Sequence, residues 1–202
     1  MRDDCGGHHG VAETTGVTRG VPGRLGRAIQ FSGGAVVVPS SPDLDFIHAG
    51  TIELWVQLGA SGMSVGSTVS RGTGNNDDNV LQNSSCGNMQ TIFSRRERGT
   101  TNVTSDCGSI AIGQWTHIAV VNNGDWVQLY IDGVLSKRYG GGFMGPNSRP
   151  LYMGRREQNV FPLHGAIDEL KWWTIALEAS DICTAAFGQW DGERCARATI
   201  AQ

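Results

Sequence analysis

The chain has 202 residues, 29 of them glycine, with 39% hydrophobic and only 17% charged residues. Glycine at about twice its usual frequency without a Gly-X-Y period excludes collagen and disfavours long helices, and the low charge excludes a disordered polyelectrolyte. A net charge of −3, from 16 basic and 19 acidic residues, provides no global field for nucleic acid or an anionic membrane, and no apolar run is long enough to insert into a bilayer.

Met1-Arg2-Asp3-Asp4 has no apolar stretch behind it. No signal peptide is therefore present in this chain, which reads as a segment whose signal was removed or lies upstream. Ala28–Phe31 and Ala35–Val38 flank Ser32-Gly33-Gly34 and predict a hairpin. Thr51–Leu58 alternates, with Ile52, Leu54, Val56 and Leu58 on one face and Thr51, Glu53, Trp55 and Gln57 on the other. Trp115–Val121 is apolar on both faces, as a central strand would be. Trp126–Ile131 alternates and ends in Asp132-Gly133, a type I′ turn dipeptide, before Val134–Arg138 returns. Pro150–Gly154 and Gly165–Trp173 are further strands, and Leu177–Ile182 is the one helical signal. The pattern predicts a single all-β domain over residues 1–202, an antiparallel two-sheet sandwich with a short helical segment near the C-terminus.

Five cysteines show no CxxC and no Cys/His metal spacing. Two local pairs suggest themselves, Cys86 with Cys107 and Cys183 with Cys195, each closing a short loop worth about 3 kcal/mol on a chain-entropy estimate. Two N-glycosylation sequons, at Asn83 and Asn102, accompany the first pair. Together they favour an oxidising compartment, extracellular or at the cell surface, with five reduced thiols as the competing reading. Cys5 is left over, available to link chains.

Gly26–Gly34, Val36–Pro39, Thr51–Val56, Ser67–Gly72, Gln114–Val120, Leu129–Gly133, Leu151–Gly154 and Gly165–Leu170 resemble, in order, the framework strings of laminin G-like jellyroll domains. This pentraxin-like group belongs to the concanavalin A-like lectin/glucanase superfamily. The resemblance covers about residues 8–182. It implies a concanavalin A-like jelly roll, a fold whose members bind glycans or extracellular proteins, frequently with calcium. Residues 73–113 depart from the pattern as a disulfide-bearing insertion, whose family strands fall near Val80–Gln82 and Met89–Ser94, and Cys183/Cys195 closes a C-terminal loop.

Glycoside hydrolysis uses two carboxylates about 5–10 Å apart. No strand carries a same-face acidic pair: Glu53 stands alone, and the adjacent Asp168 and Glu169 point to opposite faces. The chain therefore reads as non-catalytic. Alternation groups Trp126, Gln128 and Tyr130 on one face, and Glu169, Lys171 and Trp173 on another. Aromatic rings among hydrogen-bonding side chains suit sugars, which makes these six the candidate ligand-binding residues. Alternation also sets Asp168 among Ala166, Leu170 and Trp172, where an acid needs a hydrogen-bonding partner or a metal. Calcium on Asp168 plus backbone carbonyls is what the family resemblance implies, with Asn75-Asn76-Asp77-Asp78 as the candidate for a second, rim-type site. The expected function is an extracellular carbohydrate- or ligand-binding module with structural calcium. The alternative is a glycosylated building block of an extracellular or cell-surface assembly (filament, coat or matrix), self-associating through Cys5 or its sheet faces.

Overall fold

The computed structural model describes residues 7–60, 65–72, 79–84, 86–95, 99–141 and 145–197. Cys5 and Asn75-Asn76-Asp77-Asp78 lie outside the described residues. Two seven-stranded antiparallel sheets pack face to face as a jelly-roll sandwich. Across the first run β1 (Val11–Ala12), β4 (Val36–Val38), β13 (Leu151–Met153), β6 (Gly66–Arg71), β7 (Asn79–Asn83), β8 (Met89–Arg95) and β9 (Gly99–Thr104). Across the second run β12 (Val134–Gly140), β11 (Trp126–Ile131), β10 (Trp115–Asn122), β5 (Gly50–Leu58), β14 (His164–Trp173), β3 (Arg27–Ser32) and β2 (Val17–Pro22). The short helix α1 (Ala179–Ala185) and a small ribbon of β15 (Gln189–Trp190) and β16 (Cys195–Ala196) follow.

The alternation in β5 is realised: Ile52, Leu54, Val56 and Leu58 enter the core between the sheets. They meet Ile118 and Val120 from β10, Val127, Leu129 and Ile131 from β11, and Val36, Val69, Leu81, Met89 and Leu151 from the opposite sheet. Each buried aliphatic side chain of this kind contributes about 1.5–3 kcal/mol relative to exposure. Residues 79–104, expected as part of an insertion, supply three of the seven strands of the first sheet.

The hairpin expected across Ser32-Gly33-Gly34 does not form. Both edges of β3 are occupied, by β2 and β14, while β4 pairs with β1 and β13. The turn instead carries the chain from one sheet to the other, so that Phe31 and Val36 fill the same core. Asp132-Gly133 behaves as its type predicts. Ile131 pairs with Val134 across two residues with φ of 49° and 78°, the left-handed geometry of a type I′ turn.

Both disulfides are formed, Cys86–Cys107 and Cys183–Cys195. The second fastens a C-terminal cover over the outer face of the second sheet. Ile175 O accepts from Thr51 Oγ1 at 2.8 Å, and that hydroxyl accepts from Leu177 N at 3.1 Å. Helix α1 starts at Ala179, two residues later than the sequence signal, because Glu178 and Asp181 form a reciprocal capping box. It presses the fully buried Ile182 onto Ala119, Val121 and Tyr130.

Arg71 is fully buried at the end of β6. Its Nε donates to Arg149 O, Nη1 to Leu44 O and Asp45 Oδ1 (both 2.6 Å), and Nη2 to Ser41 O and Asn147 O. Asp45 Oδ1 also accepts from Asn147 N at 3.0 Å. Removing one partner of a buried ion pair strands the other, at about 3–5 kcal/mol. Arg71→Met is expected to lower the unfolding free energy by about that amount, and urea denaturation followed by tryptophan fluorescence measures it.

Candidate functional site

The outer face of the second sheet carries a cluster of charged and aromatic groups around Glu53. Cross-strand pairing sets Glu53 opposite Ala119 on β10 and Lys171 on β14, with Trp55 opposite His117 and Asp168 one pair along. Glu53 is only 2% exposed. Its Oε1 accepts from Trp173 Nε1 at 3.2 Å and lies 3.3 Å from Lys171 Nζ. Its Oε2 faces His117 Nε2 at 3.6 Å, an ion-pair distance slightly too long for a hydrogen bond. Burial pushes the Glu53 carboxyl upward, but His117, Lys171 and the Trp173 indole together outweigh it and hold the group below its ordinary value. An ionised carboxylate is thus kept beneath two half-exposed side chains whose positions it dictates.

Lys171 and Trp173 reach this place because of a β-bulge. Asp168 pairs with Trp55, yet Lys171 pairs with Glu53, so β14 spends one residue more than β5 over the same interval. Glu169 absorbs the excess at a left-handed φ of 49°. The extra residue inverts the alternation beyond it. Asp168, Lys171 and Trp173 share the outer face, whereas Trp172 turns inward, stacks on Phe46 at 4.5 Å and donates to Leu44 O. Strict alternation put Asp168 and Trp172 together, and the bulge separates them.

The six expected ligand-binding residues do not form one platform. Lys171 and Trp173 stand together on Glu53. Glu169 is exposed at the bulge and makes none of the contacts that tie that pair. Trp126 and Gln128 lie on β11, on the far side of the C-terminal cover, and the Arg138 guanidinium sits 3.9 Å over the Trp126 ring. Tyr130 is only 4% exposed beneath Ile182. Burial and the nearby Glu178 charge, against the opposing Arg138, raise its hydroxyl pKa. Tyr130 is therefore a packing residue. Trp55 is covered too, stacked at 5.5 Å on Phe187 with the Arg24 guanidinium beside both rings.

Asp168 does not fit the calcium role that the resemblance implied. Its Oδ2 accepts from Leu25 N at 2.8 Å and its Oδ1 from Glu169 N at 3.0 Å. Both oxygens thus fasten the turn before β3 and the bulge, while calcium requires six to eight oxygen ligands. Among the described residues no three His, Cys, Asp or Glu side chains converge on a common point. Asn83 is fully buried and cannot carry a glycan in the folded domain, whereas Asn102 is exposed on β9.

Glu53 and His117 escaped the sequence reading as site residues, although alternation had already put Glu53 beside Trp55. Only strand pairing could join them to β14. The same pairing brings a second carboxylate, Asp168, to the face that Glu53 occupies, as diagonal neighbours across β5 and β14. Both carboxylates are buried, with Asp168 accepting from Leu25 N and Glu53 from the Trp173 indole.

A family model described as the concanavalin A-like lectin/glucanases superfamily matches residues 31–183. No curated protein matches the sequence. Among solved structures, the binding domain of Paraclostridial Mosquitocidal Protein 1 is similar at TM-score 0.71 and 17% identity, over 88% of this chain and 47% of that one. The receptor binding domain of botulinum neurotoxin D gives TM-score 0.71 at 13% identity, over 90% and 48%. Domain 4 of AbnA, a GH43 extracellular arabinanase from Geobacillus stearothermophilus, in complex with arabinotriose, gives 0.64 at 21%, over 84% and 81%. This chain spans about half the length of the two toxin domains, and at these identities the likeness is one of fold.

The lowered Glu53 pKa has a signed consequence. Between the folded value and the ordinary 4.5 the unfolded chain binds more protons, so stability rises with pH there. The contribution is fully present above pH 4.5 and is lost as pH falls through the folded value. Urea midpoints measured on either side of pH 4.5 are expected to fall on acidification in the native chain and to fall less steeply in Glu53→Gln.

Proposed function

We propose that this chain, which belongs to the concanavalin A-like lectin/glucanases superfamily, is a non-catalytic carbohydrate-binding module that stacks a sugar on Trp173. The observation that carries the reading is the indole itself. Trp173 is 38% exposed, yet its Nε1 is tied to the buried Glu53, and Lys171 is drawn to the same carboxylate. A ring fixed in advance loses little rotamer freedom on binding, and its flat face suits the C–H face of a pyranose or furanose. Lys171 supplies a hydrogen-bond donor at the ring's edge. The solved complex of AbnA domain 4 with arabinotriose lends support, since that domain shares this fold with a sugar bound.

An oxidising, extracellular setting is part of the proposal. It is supported by the two disulfides and by the exposed sequon at Asn102. No helix among the described residues is long and apolar enough to cross a membrane.

A glycan array followed by titration calorimetry tests the reading. Neutral oligosaccharides, arabinotriose among them, are expected to bind, with Trp173→Ala weakening the best ligand by about tenfold or more, the worth of an aromatic contact and its buried area. Repeating the array with EDTA separates calcium-dependent from calcium-independent recognition. A silent array from chains that sediment as assemblies, or binding unchanged in Trp173→Ala, overturns the proposal in favour of a structural building block or a different surface.

A further inference from the structure

A polar groove in the described structure lies far from Trp173. Ser32 pairs with His164 at one end of β14 and Trp173 closes the other, a separation of about 30 Å at roughly 3.3 Å per strand residue. There an open groove of about 660 Å³ is lined by Glu13, Thr14, Thr15, Ser32 and Asn159, with glycine backbone between them. Gly34 leaves no room for a side chain: a Cβ would stand 2.2 Å from Thr15 O, so the two loops meet backbone to backbone. That approach is what keeps the groove walls close.

Two features show that the groove is built. Glu13 is clamped from behind. Its Oε1 is paired with Arg155, itself 8% exposed, and its Oε2 accepts from Ala35 N at 2.9 Å. The carboxylate is therefore fixed in place while about a third of the side chain still faces the groove. The opposite wall is held in a strained conformation. Gln158, Asn159 and Phe161 all have left-handed φ, at 73°, 63° and 53°. Such backbone costs of order 1 kcal/mol or more per residue and persists only where its surroundings enforce it. Here Ser67 N donates to Phe161 O at 2.8 Å, Arg156 N donates to Val160 O, and the Arg156 guanidinium lies 4.8 Å from the Phe161 ring.

We propose that this groove is a second ligand site, which takes a single neutral sugar unit by its hydroxyl edge. The lining chemistry selects the class. The hydroxyls and the amide both accept and donate, as a vicinal diol requires, and the Glu13 carboxylate, already engaged by Arg155 and Ala35 N, keeps lone pairs to accept from a diol hydroxyl. No cation and no aromatic ring is among the lining residues, which disfavours an anionic ligand and a stacked one alike. The volume suits one or two sugar rings. A free monosaccharide and the terminal residue of a chain offer the same diol. The inference stands independently of the Trp173 platform, at the other end of the strand.

Amide NMR shifts of the intact chain, titrated with arabinose, galactose, glucose and mannose and then with their neutral trisaccharides, decide the matter. Shifts are expected at Thr14, Thr15, Ser32, Gly33, Gly34 and Asn159, and they persist in Trp173→Ala. Asn159→Gly keeps a residue that accepts the left-handed backbone but removes the amide, and is expected to weaken binding about tenfold, one good hydrogen bond's worth. Thr14→Trp, at an exposed position, fills the groove and is expected to abolish the shifts. Response to the monosaccharides identifies a free-sugar site; response to the trisaccharides alone identifies a chain-end site. Absence of shifts in the groove with every sugar overturns the inference, as do shifts unchanged in both variants. Shifts confined to the surroundings of Trp173 overturn it while leaving the platform intact.

Discussion

Five N–H groups of the Arg71 guanidinium are used inside the protein, on Ser41, Leu44 and Asp45 to one side and on Asn147 and Arg149 to the other. No other side chain could substitute: lysine has three donors and no fixed fork. The consequence runs outward in steps. With Leu44 and Asp45 held, Phe46 is set against Gly50 and stacks on Trp172, whose indole returns to Leu44 O. With Trp172 held inward, its neighbour Trp173 faces out over Glu53. A buried charge at the end of the first sheet's central strand thereby supports the inward seat of Trp172 in the second sheet.

Glu53 shows how one buried carboxylate on a sheet face can order the side chains above it. Desolvating a carboxylate costs several kcal/mol, and at Glu53 the neighbouring His117, Lys171 and Trp173 indole more than offset it. The Glu53 Oε2 and His117 Nδ1 atoms are buried without hydrogen-bond partners, so the cluster is not optimised as a structural network. What it achieves is order in Lys171 and Trp173, side chains that would otherwise sample many rotamers at a strand end. The C-terminal cover limits this face further. By seating Ile182 and Phe187 over Tyr130 and Trp55, it leaves only the β14 margin open beside Glu53.

Most strands are legible in the sequence because their signals are local. Alternation from Ile52 to Leu58, the Asp132-Gly133 turn, and the two short cysteine loops each depend on a handful of neighbouring residues. The misreadings share a different origin. Whether Ser32-Gly33-Gly34 closes a hairpin depends on which strands compete for β3, and those are β2 and β14, the latter more than 130 residues away. Tyr130 alternates as a surface residue would, and is buried only because a segment some fifty residues later is fastened over it by Cys183–Cys195. Asp168 was rightly expected to need partners, but they are backbone amides of Leu25 and Glu169, which no side-chain pattern announces. The bulge at Glu169 is the sharpest case: a left-handed glutamate carries no signature comparable to Asn-Gly or Asp-Gly.

That bulge also shapes how this surface can change over time. Substitutions at Trp172 or Trp173 alter one side chain and leave the other in place. Loss of the single codon for Glu169 would remove the bulge and leave Lys171 opposite Glu53, Trp172 inside and Trp173 outside, whereas straightening β14 with Glu169 retained would exchange the two rings. The backbone conformation of this one residue, which Glu169 meets at a left-handed φ of 49°, therefore decides which tryptophan that face presents.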